Sequence, residues 1–129
     1  MKRMLLVFLM ACWSAAAVAA SGMTPDELAG SNEPRLVLDV RTPQEYAEGH
    51  IPGAINIPHD QVSADDARLR DWRDRTVVVY CRSGRRSALA AERLAEMGFS
   101  PVRTLKGDMP GWIEKGLPVA RGDAQVCCR

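Results

Sequence analysis

The chain has 129 residues, of which 47% are hydrophobic, and 17 basic residues nearly balance 16 acidic ones. This length suits one modest domain with its own core. The even charge balance and the lack of a polybasic stretch argue against a nucleic-acid partner.

The N-terminus has the pattern of a secretory signal peptide. Met1-Lys2-Arg3 is a basic start, residues 4–18 are uncharged and apolar, and the next residues are small. This pattern predicts a signal peptide over residues 1–20, cleaved after Ala19 or Ala20, and therefore a periplasmic protein. One alternative is an uncleaved anchor, although the apolar run is shorter than the roughly 20 residues of a spanning helix. The other is a lipoprotein attached through Cys12.

The first half of the remaining chain predicts two helices and two strands. Thr24-Pro25-Asp26-Glu27-Leu28 has an N-cap, a proline and a capping-box glutamate, so a short helix begins there. The apolar run 36–40, broken by one acid, predicts a strand that is buried on both faces. Thr42-Pro43-Gln44-Glu45 repeats the cap, proline and box arrangement and predicts a helix to about Glu48. A short strand is expected at 54–57.

The second half contains the strongest elements. Residues 63–73 predict a charged surface helix, and Thr76–Tyr80 predicts a buried strand. Arg86–Met97 predicts the best helix, 102–106 a last strand, and the residues around Trp112 a short helix. Strands that alternate with helices predict a three-layer α/β domain with a mostly parallel central sheet.

The segment Cys81–Ser87 is the main candidate for chemistry. A cysteine ends the best strand and is followed by a Gly- and Ser-containing turn that leads into a helix. Backbone N–H groups of such a turn and the helix N-terminus stabilise an anionic sulfur, the nucleophilic form of cysteine. Ligands of parallel sheets bind at the carboxyl ends of strands, which is where this cysteine is expected.

The cysteine count supports a free thiol at this position. Once the signal peptide is removed, Cys81, Cys127 and Cys128 remain. An odd number argues against a fold held together by disulfides. The last two cysteines fall in residues 121–129, which are predicted to form a flexible tail.

Five segments occur in an order that is typical of one family. They are Leu38-Asp39-Val40-Arg41, Glu45-Tyr46, Gly49 to Pro58, Val77 to Ser87, and Leu105 to Asp108 with Gly111-Trp112. Together they resemble the rhodanese (thiosulfate sulfurtransferase) domain. The resemblance covers nearly all of the chain after the signal peptide and implies one rhodanese-like domain over residues 21–120, of the single-domain periplasmic type.

The resemblance implies a reaction in two steps. Cys81 attacks the outer sulfur of a donor such as thiosulfate, sulfite leaves, and the cysteine becomes a persulfide. A thiophilic acceptor, which is cyanide or a thiol, then removes the sulfur. The expected partners are the small-molecule donor and acceptor, with a protein thiol as a further candidate acceptor. No metal or organic cofactor, nucleic acid or, after signal cleavage, membrane is expected.

The same resemblance assigns roles around the cysteine. Backbone N–H groups from Arg82 to Ser87 cradle the persulfide, and the side chain of Arg82 is expected to bind the sulfonate of thiosulfate. Arg41 is expected to help bind this anion, while Asp39 is expected to form a structural pair. The expected substrate-binding residues are Arg82, Ser83, Gly84, Arg85, Arg86, Ser87 and Arg41.

Two other functions fit parts of the pattern. Phosphatases and arsenate reductases of this fold place an arginine six residues after the cysteine; here that residue is Ser87, and Arg86 comes one position earlier. The loop is therefore one residue shorter and suits sulfur better than phosphate. The second alternative is a sulfur-carrier or thiol-redox protein, in which Cys81 cycles with Cys127 or Cys128.

Overall fold

A computed structural model describes residues 20–122 and has the predicted α/β architecture. Its centre is a five-stranded sheet in which every pairing is parallel, in the order β1-β5-β4-β2-β3. The strands are β1 (Ser21–Met23), β2 (Leu36–Asp39), β3 (Ile55–Asn56), β4 (Val77–Tyr80) and β5 (Val102–Leu105). The predicted signal peptide and tail, with Cys12, Cys127 and Cys128, lie almost entirely outside the described residues.

In the part of the chain that the structure describes, five α-helices connect or follow these strands. They are α1 (Pro25–Gly30), α2 (Pro43–Glu48), α3 (Ala67–Arg70), α4 (Arg85–Glu96) and α5 (Asp108–Glu114), with a 3₁₀ turn at His59–Gln61. Within residues 20–122, no helix is long and apolar enough to cross a membrane.

Strand β4 lies between two cores. Val77, Val79 and Cys81 belong to one buried cluster, and Val78 and Tyr80 belong to the other. All four residues of the strand are fully buried. Successive side chains of a strand point to opposite faces, so an uninterrupted apolar run is what a central strand covered on both faces requires.

The two predicted helix starts differ in one respect. Thr24 and Glu27 form the expected capping box at α1. At α2, Thr42 accepts the N–H of Glu45 as expected, but the carboxylate of Glu45 binds Arg86 instead of the cap backbone. A charged partner gives a stronger hydrogen bond than a neutral amide, which explains the difference.

The prediction of a surface helix over residues 63–73 is wrong in extent. Only α3 is helical, because the side chain of Asp66 accepts the N–H of Arg68 and starts the helix there. Asp66 also forms an ion pair with Arg68. Leu69 is fully buried and anchors this otherwise exposed segment to the core.

The end of the described chain returns to the loop that follows α2. His50 and Ala120 form an isolated antiparallel bridge with two N–H···O bonds of 2.9 Å. The N–H of Gly122 also donates to the carbonyl of Ala47. Residues 119–121 are thereby held beside the carboxyl end of the sheet.

Candidate active site

Cys81 directly follows β4 and is fully buried. Its backbone N–H donates to Oδ1 of Asp108 at 2.9 Å, and its carbonyl accepts the N–H of Met109 at 3.0 Å. The peptide groups on both sides of the cysteine are thus fixed to the residues that follow β5. This arrangement leaves the side chain as the part of Cys81 that is free to react.

The sulfur of Cys81 lies against the turn that begins α4. The N–H of Gly84 donates to Sγ at 3.0 Å. Gly84 is the N-cap of this 12-residue helix and has a φ of 91°, which favours glycine. A helix N-terminus carries partial positive charge, so negative charge on Sγ is stabilised there.

The hydroxyl of Ser87 connects the sulfur to a buried carboxylate. Ser87 Oγ lies 3.5 Å from Sγ, 3.0 Å from the carbonyl oxygen of Gly84 and 3.1 Å from Oδ1 of Asp108. Asp108 is buried, and its φ of 52° is unusual for a residue with a side chain. Asp108 belongs to one of the family-like segments, but sequence reasoning assigned it no role; its position three residues after the end of β5 was the available signal.

The three arginines of the loop differ in exposure and in their partners. Arg82 and Arg85 are exposed, whereas Arg86 forms a bidentate ion pair with Glu45, at 2.9 and 3.0 Å. The hydrogen bond with Glu45 raises the pKa of Arg86, and the same bond lowers the pKa of Glu45. Part of the positive charge near Cys81 is therefore already balanced by α2.

Arg41 is held at the end of β2 by Asp39. Its Nε and Nη2 donate to the Asp39 carboxylate, and Nη2 also donates to the carbonyl of Gly49 at 2.7 Å. Burial opposes the charged form of Arg41, but the hydrogen bond and charge of Asp39 outweigh it and raise the pKa of Arg41. The guanidinium also lies over the ring of Tyr80. Asp39 therefore forms the structural pair that the sequence predicted.

A cavity of about 380 Å³ opens next to the loop and contains both Arg41 and Arg82. It is lined by Arg41, Glu45, Glu48, Gly49, Arg82, Met109, Pro110, Ile113, Val119 and Arg121. The cavity thus joins two of the predicted anion-binding arginines to an apolar wall. Ser83, Gly84, Arg85, Arg86 and Ser87 are not among its lining residues.

Comparison with known proteins supplies the family. The family model of the rhodanese-like domain matches residues 24–115. The chain belongs to the rhodanese family. It is 39% identical over 84 residues to a sulfurtransferase of Allochromatium vinosum, covering 65% of this chain and 77% of that protein. It is also 43% identical over 70 residues to the thiosulfate sulfurtransferase PspE of Escherichia coli, covering 54% and 67%.

Solved structures of the rhodanese family have the same fold. A rhodanese-related protein from Thermoplasma volcanium matches with a TM-score of 0.67 and 33% identity, over 78% of this chain and 97% of that one. The relatives support sulfur transfer of the rhodanese type. Within residues 20–122, no group of three or more His, Cys, Asp or Glu side chains is arranged to hold a metal ion.

Proposed function

We propose that this rhodanese is a thiosulfate sulfurtransferase that works through a persulfide on Cys81. The Cys81 thiolate attacks the outer sulfur of thiosulfate, and a new S–S bond forms. The S–S bond of thiosulfate breaks, and its electron pair leaves with sulfite. Cyanide or a thiolate then attacks the outer sulfur of the persulfide, and the electron pair of the broken bond returns to Sγ.

The contact between the Gly84 N–H and Sγ, at 3.0 Å, is the observation that carries this proposal. It gives the sulfur of Cys81 a donor at the N-terminus of α4, which favours a negatively charged sulfur. The names of the relatives support the substrate class, because they include a sulfurtransferase and a thiosulfate sulfurtransferase.

Arg82 and Arg41 are proposed to bind the sulfonate of the donor. Both line the cavity beside the loop, and Arg82 is exposed. The hydrogen bonds of Arg41 to Asp39 and Gly49 use Nε and Nη2, which leaves Nη1 for a ligand. A guanidinium matches the paired oxygens of an oxyanion. Arg82 is the more available of the two, since it is not fixed by a buried carboxylate.

The burial of Cys81 adds a requirement to this reaction. Its side chain is fully buried and does not line the cavity. The residues next to it in the loop, Arg82 and Ser83, are exposed. A donor therefore reaches Sγ only when the residues that cover the sulfur move aside.

The direct test is sulfur uptake by the purified protein. After incubation with thiosulfate, mass spectrometry should show the gain of one sulfur atom, and Cys81→Ser should abolish it. Thiocyanate should appear when cyanide is added to the loaded protein. An unmodified wild type that instead cleaves an aryl phosphate would support the phosphatase alternative and contradict this proposal.

The role of Arg82 has a kinetic test. Arg82→Ala should raise the KM for thiosulfate about tenfold and change kcat less, because the side chain binds sulfonate oxygens that are already negatively charged before the reaction. Arg70→Ala, which removes an exposed arginine of α3, is the control and should leave both constants unchanged. An equal loss in kcat and kcat/KM would contradict a binding role.

The periplasmic location and the acceptor are proposals from the sequence. Cell fractionation should find the protein, shortened by about 20 residues, in the periplasm. A variant truncated before Cys127 tests the alternative of a thiol-redox cycle. Unchanged turnover with a thiol acceptor would exclude a catalytic role for Cys127 and Cys128.

A further inference from the structure

Asp108 is a buried carboxylate close to the reactive sulfur. Its Oδ1 accepts the N–H of Cys81 and the hydroxyl of Ser87. Its Oδ2 lies over Gly84, where an added Cβ would come within 3.2 Å of it. Among the described residues, none of its hydrogen bonds or ion pairs comes from an arginine or lysine. The negative charge of Asp108 is therefore held by neutral donors.

The donor and the acceptor of each hydrogen bond of Ser87 can be assigned. Its single hydroxyl proton has two oxygen acceptors, the Gly84 carbonyl and Oδ1 of Asp108. Oxygen accepts a hydrogen bond more strongly than a sulfur atom at 3.5 Å, so Ser87 does not donate to Cys81. In the contact between these two side chains, the thiol S–H of Cys81 is the donor and Ser87 Oγ is the acceptor. A hydrogen bond made by the neutral form of a group favours that form.

The other charged groups around Cys81 are balanced or exposed. Arg86 of α4 is paired with Glu45 of α2, and Arg41 at the end of β2 is paired with Asp39. The remaining cations of the loop, Arg82 and Arg85, are exposed, and Tyr80 of β4 carries a buried hydroxyl whose pKa burial raises. Asp108 is thus the buried charge near the sulfur that no cation balances within the described chain.

We propose that Asp108, acting through Ser87, is a positioning residue that opposes negative charge on Sγ of Cys81 and favours the persulfide, in which the negative charge lies on the outer sulfur. This inference rests on the proposed sulfur transfer. In the free enzyme, ionisation of Cys81 puts charge on Sγ, next to Asp108. In the loaded enzyme, the charge lies one sulfur atom further away, so the two anions repel each other less.

The negative charge of Asp108 has opposite effects on the loading and the unloading of the enzyme. When an acceptor attacks the outer sulfur, the S–S bond of the persulfide breaks and its electron pair moves to Sγ, toward Asp108. Repulsion by Asp108 therefore opposes unloading. When thiosulfate loads the enzyme, the charge on Sγ is lost to the new S–S bond, so the same repulsion favours the loaded product. Asp108 thus prolongs the life of the persulfide.

The experiment measures the two forms of Cys81 separately in Asp108→Asn. This change keeps an oxygen that can accept the N–H of Cys81 and removes the charge. At neutral pH, alkylation of the free Cys81 by iodoacetamide should be about tenfold faster than in wild type, because a like charge has been removed from beside the thiolate. Asp66→Asn, at the N-cap of α3 where the carboxylate pairs with Arg68, is the matched control and should alkylate at the wild-type rate.

The loaded form gives the second measurement. Protein loaded with thiosulfate and freed of excess donor should pass its sulfur to cyanide several-fold faster in Asp108→Asn than in wild type. The pH profile of alkylation should shift to lower pH in the variant. A purely structural role predicts looser packing around the buried Cys81, with faster alkylation at every pH and no shift of the profile. A role in which Asp108 draws the proton off the thiol predicts slower alkylation and slower transfer; either result would overturn the proposal.

Two further variants keep the test decisive. Ser87→Ala should accelerate alkylation less than Asp108→Asn does, and the double variant should give less than the product of the two effects, since both act on one hydrogen-bond chain. If Asp108→Asn does not fold, Asp108→Gly replaces it, because glycine accepts the positive φ.

Alkylation needs no sulfur donor, so it tests the role of Asp108 independently of sulfur transfer. A wild type that takes up no sulfur would contradict the proposed function, whereas unchanged alkylation in Asp108→Asn would contradict only the role of Asp108.

Discussion

Two buried aspartates lie at the carboxyl end of the sheet, and their surroundings differ. Asp39, at the end of β2, is fully buried and forms an ion pair of 2.6 Å with Arg41. Asp108, the first residue of α5, is also buried but is held by a backbone N–H and a hydroxyl. The first charge is balanced at close range, whereas the second remains available to act on Cys81.

Two buried carboxylates at one edge of the sheet therefore differ in role: Asp39 holds a structural partner, and Asp108 is proposed to act on the reacting sulfur. The charge of Asp39 is balanced at close range by Arg41, whose guanidinium also donates to the carbonyl of Gly49, so the carboxylate serves to hold Arg41 in place. A carboxylate without a cation acts on its neighbours through its charge. The three variants that follow test this contrast, beginning with the largest expected effect.

Asp39→Asn should have the largest effect on stability. The amide can still accept the N–H of Arg41, but the guanidinium is left buried without an anion, and the free energy of unfolding should fall by about 3 kcal/mol. Urea denaturation measures this change. Asp66→Asn, whose partner Arg68 is exposed, should lose less than about 1 kcal/mol. Similar losses in the two variants would contradict the structural role of Asp39.

Asp108→Gly should be much less destabilising. The change leaves the buried N–H of Cys81 without its acceptor, which costs about 2 kcal/mol. It also relieves the positive φ of Asp108, which returns about 1 kcal/mol. The net loss in unfolding free energy, measured in the same urea series, should be about 1 kcal/mol. A loss as large as that of Asp39→Asn would mean that Asp108 is retained for the fold.

Glu45→Gln should have the smallest effect, and it should depend on pH. The hydrogen bond with Arg86 lowers the pKa of Glu45 below its ordinary value of 4.5. A lowered pKa contributes stability above the unfolded value, and this contribution is lost as pH falls through the folded value. Wild type should exceed Glu45→Gln by about 0.5 kcal/mol at pH 7. This gap should close below pH 4.5 in unfolding curves, and a gap that persists in acid would exclude the ion pair as its cause.

The sequence was informative where local rules decide the structure. The apolar run of β4 and the cap at Thr24 each act on neighbouring residues, and each was predicted from them. The position of Cys81 followed, because a strand end and a helix start lie on either side of it. The fold class followed from the alternation of strands and helices.

The sequence was less informative where distant residues meet. Glu45 looked like a capping-box residue, and its partner Arg86 is 41 positions away. Asp108 lies 27 positions from Cys81, and its contact depends on how β5 pairs with β4. Even over a short range, the cap formed by Asp66 competed with the helical periodicity and shortened α3. The spacing of residues along the chain therefore does not predict these contacts.

The bridge between His50 and Ala120 has a practical consequence for work on this enzyme. It holds Val119 and Arg121 in the wall of the cavity beside Arg82. A reporter or purification handle fused after residue 122 would leave the domain next to the entrance that sulfur donors and acceptors are proposed to use. Such a fusion would obstruct large acceptors before small ones, so comparing cyanide with a protein thiol in fused and unfused forms would measure how wide that entrance is.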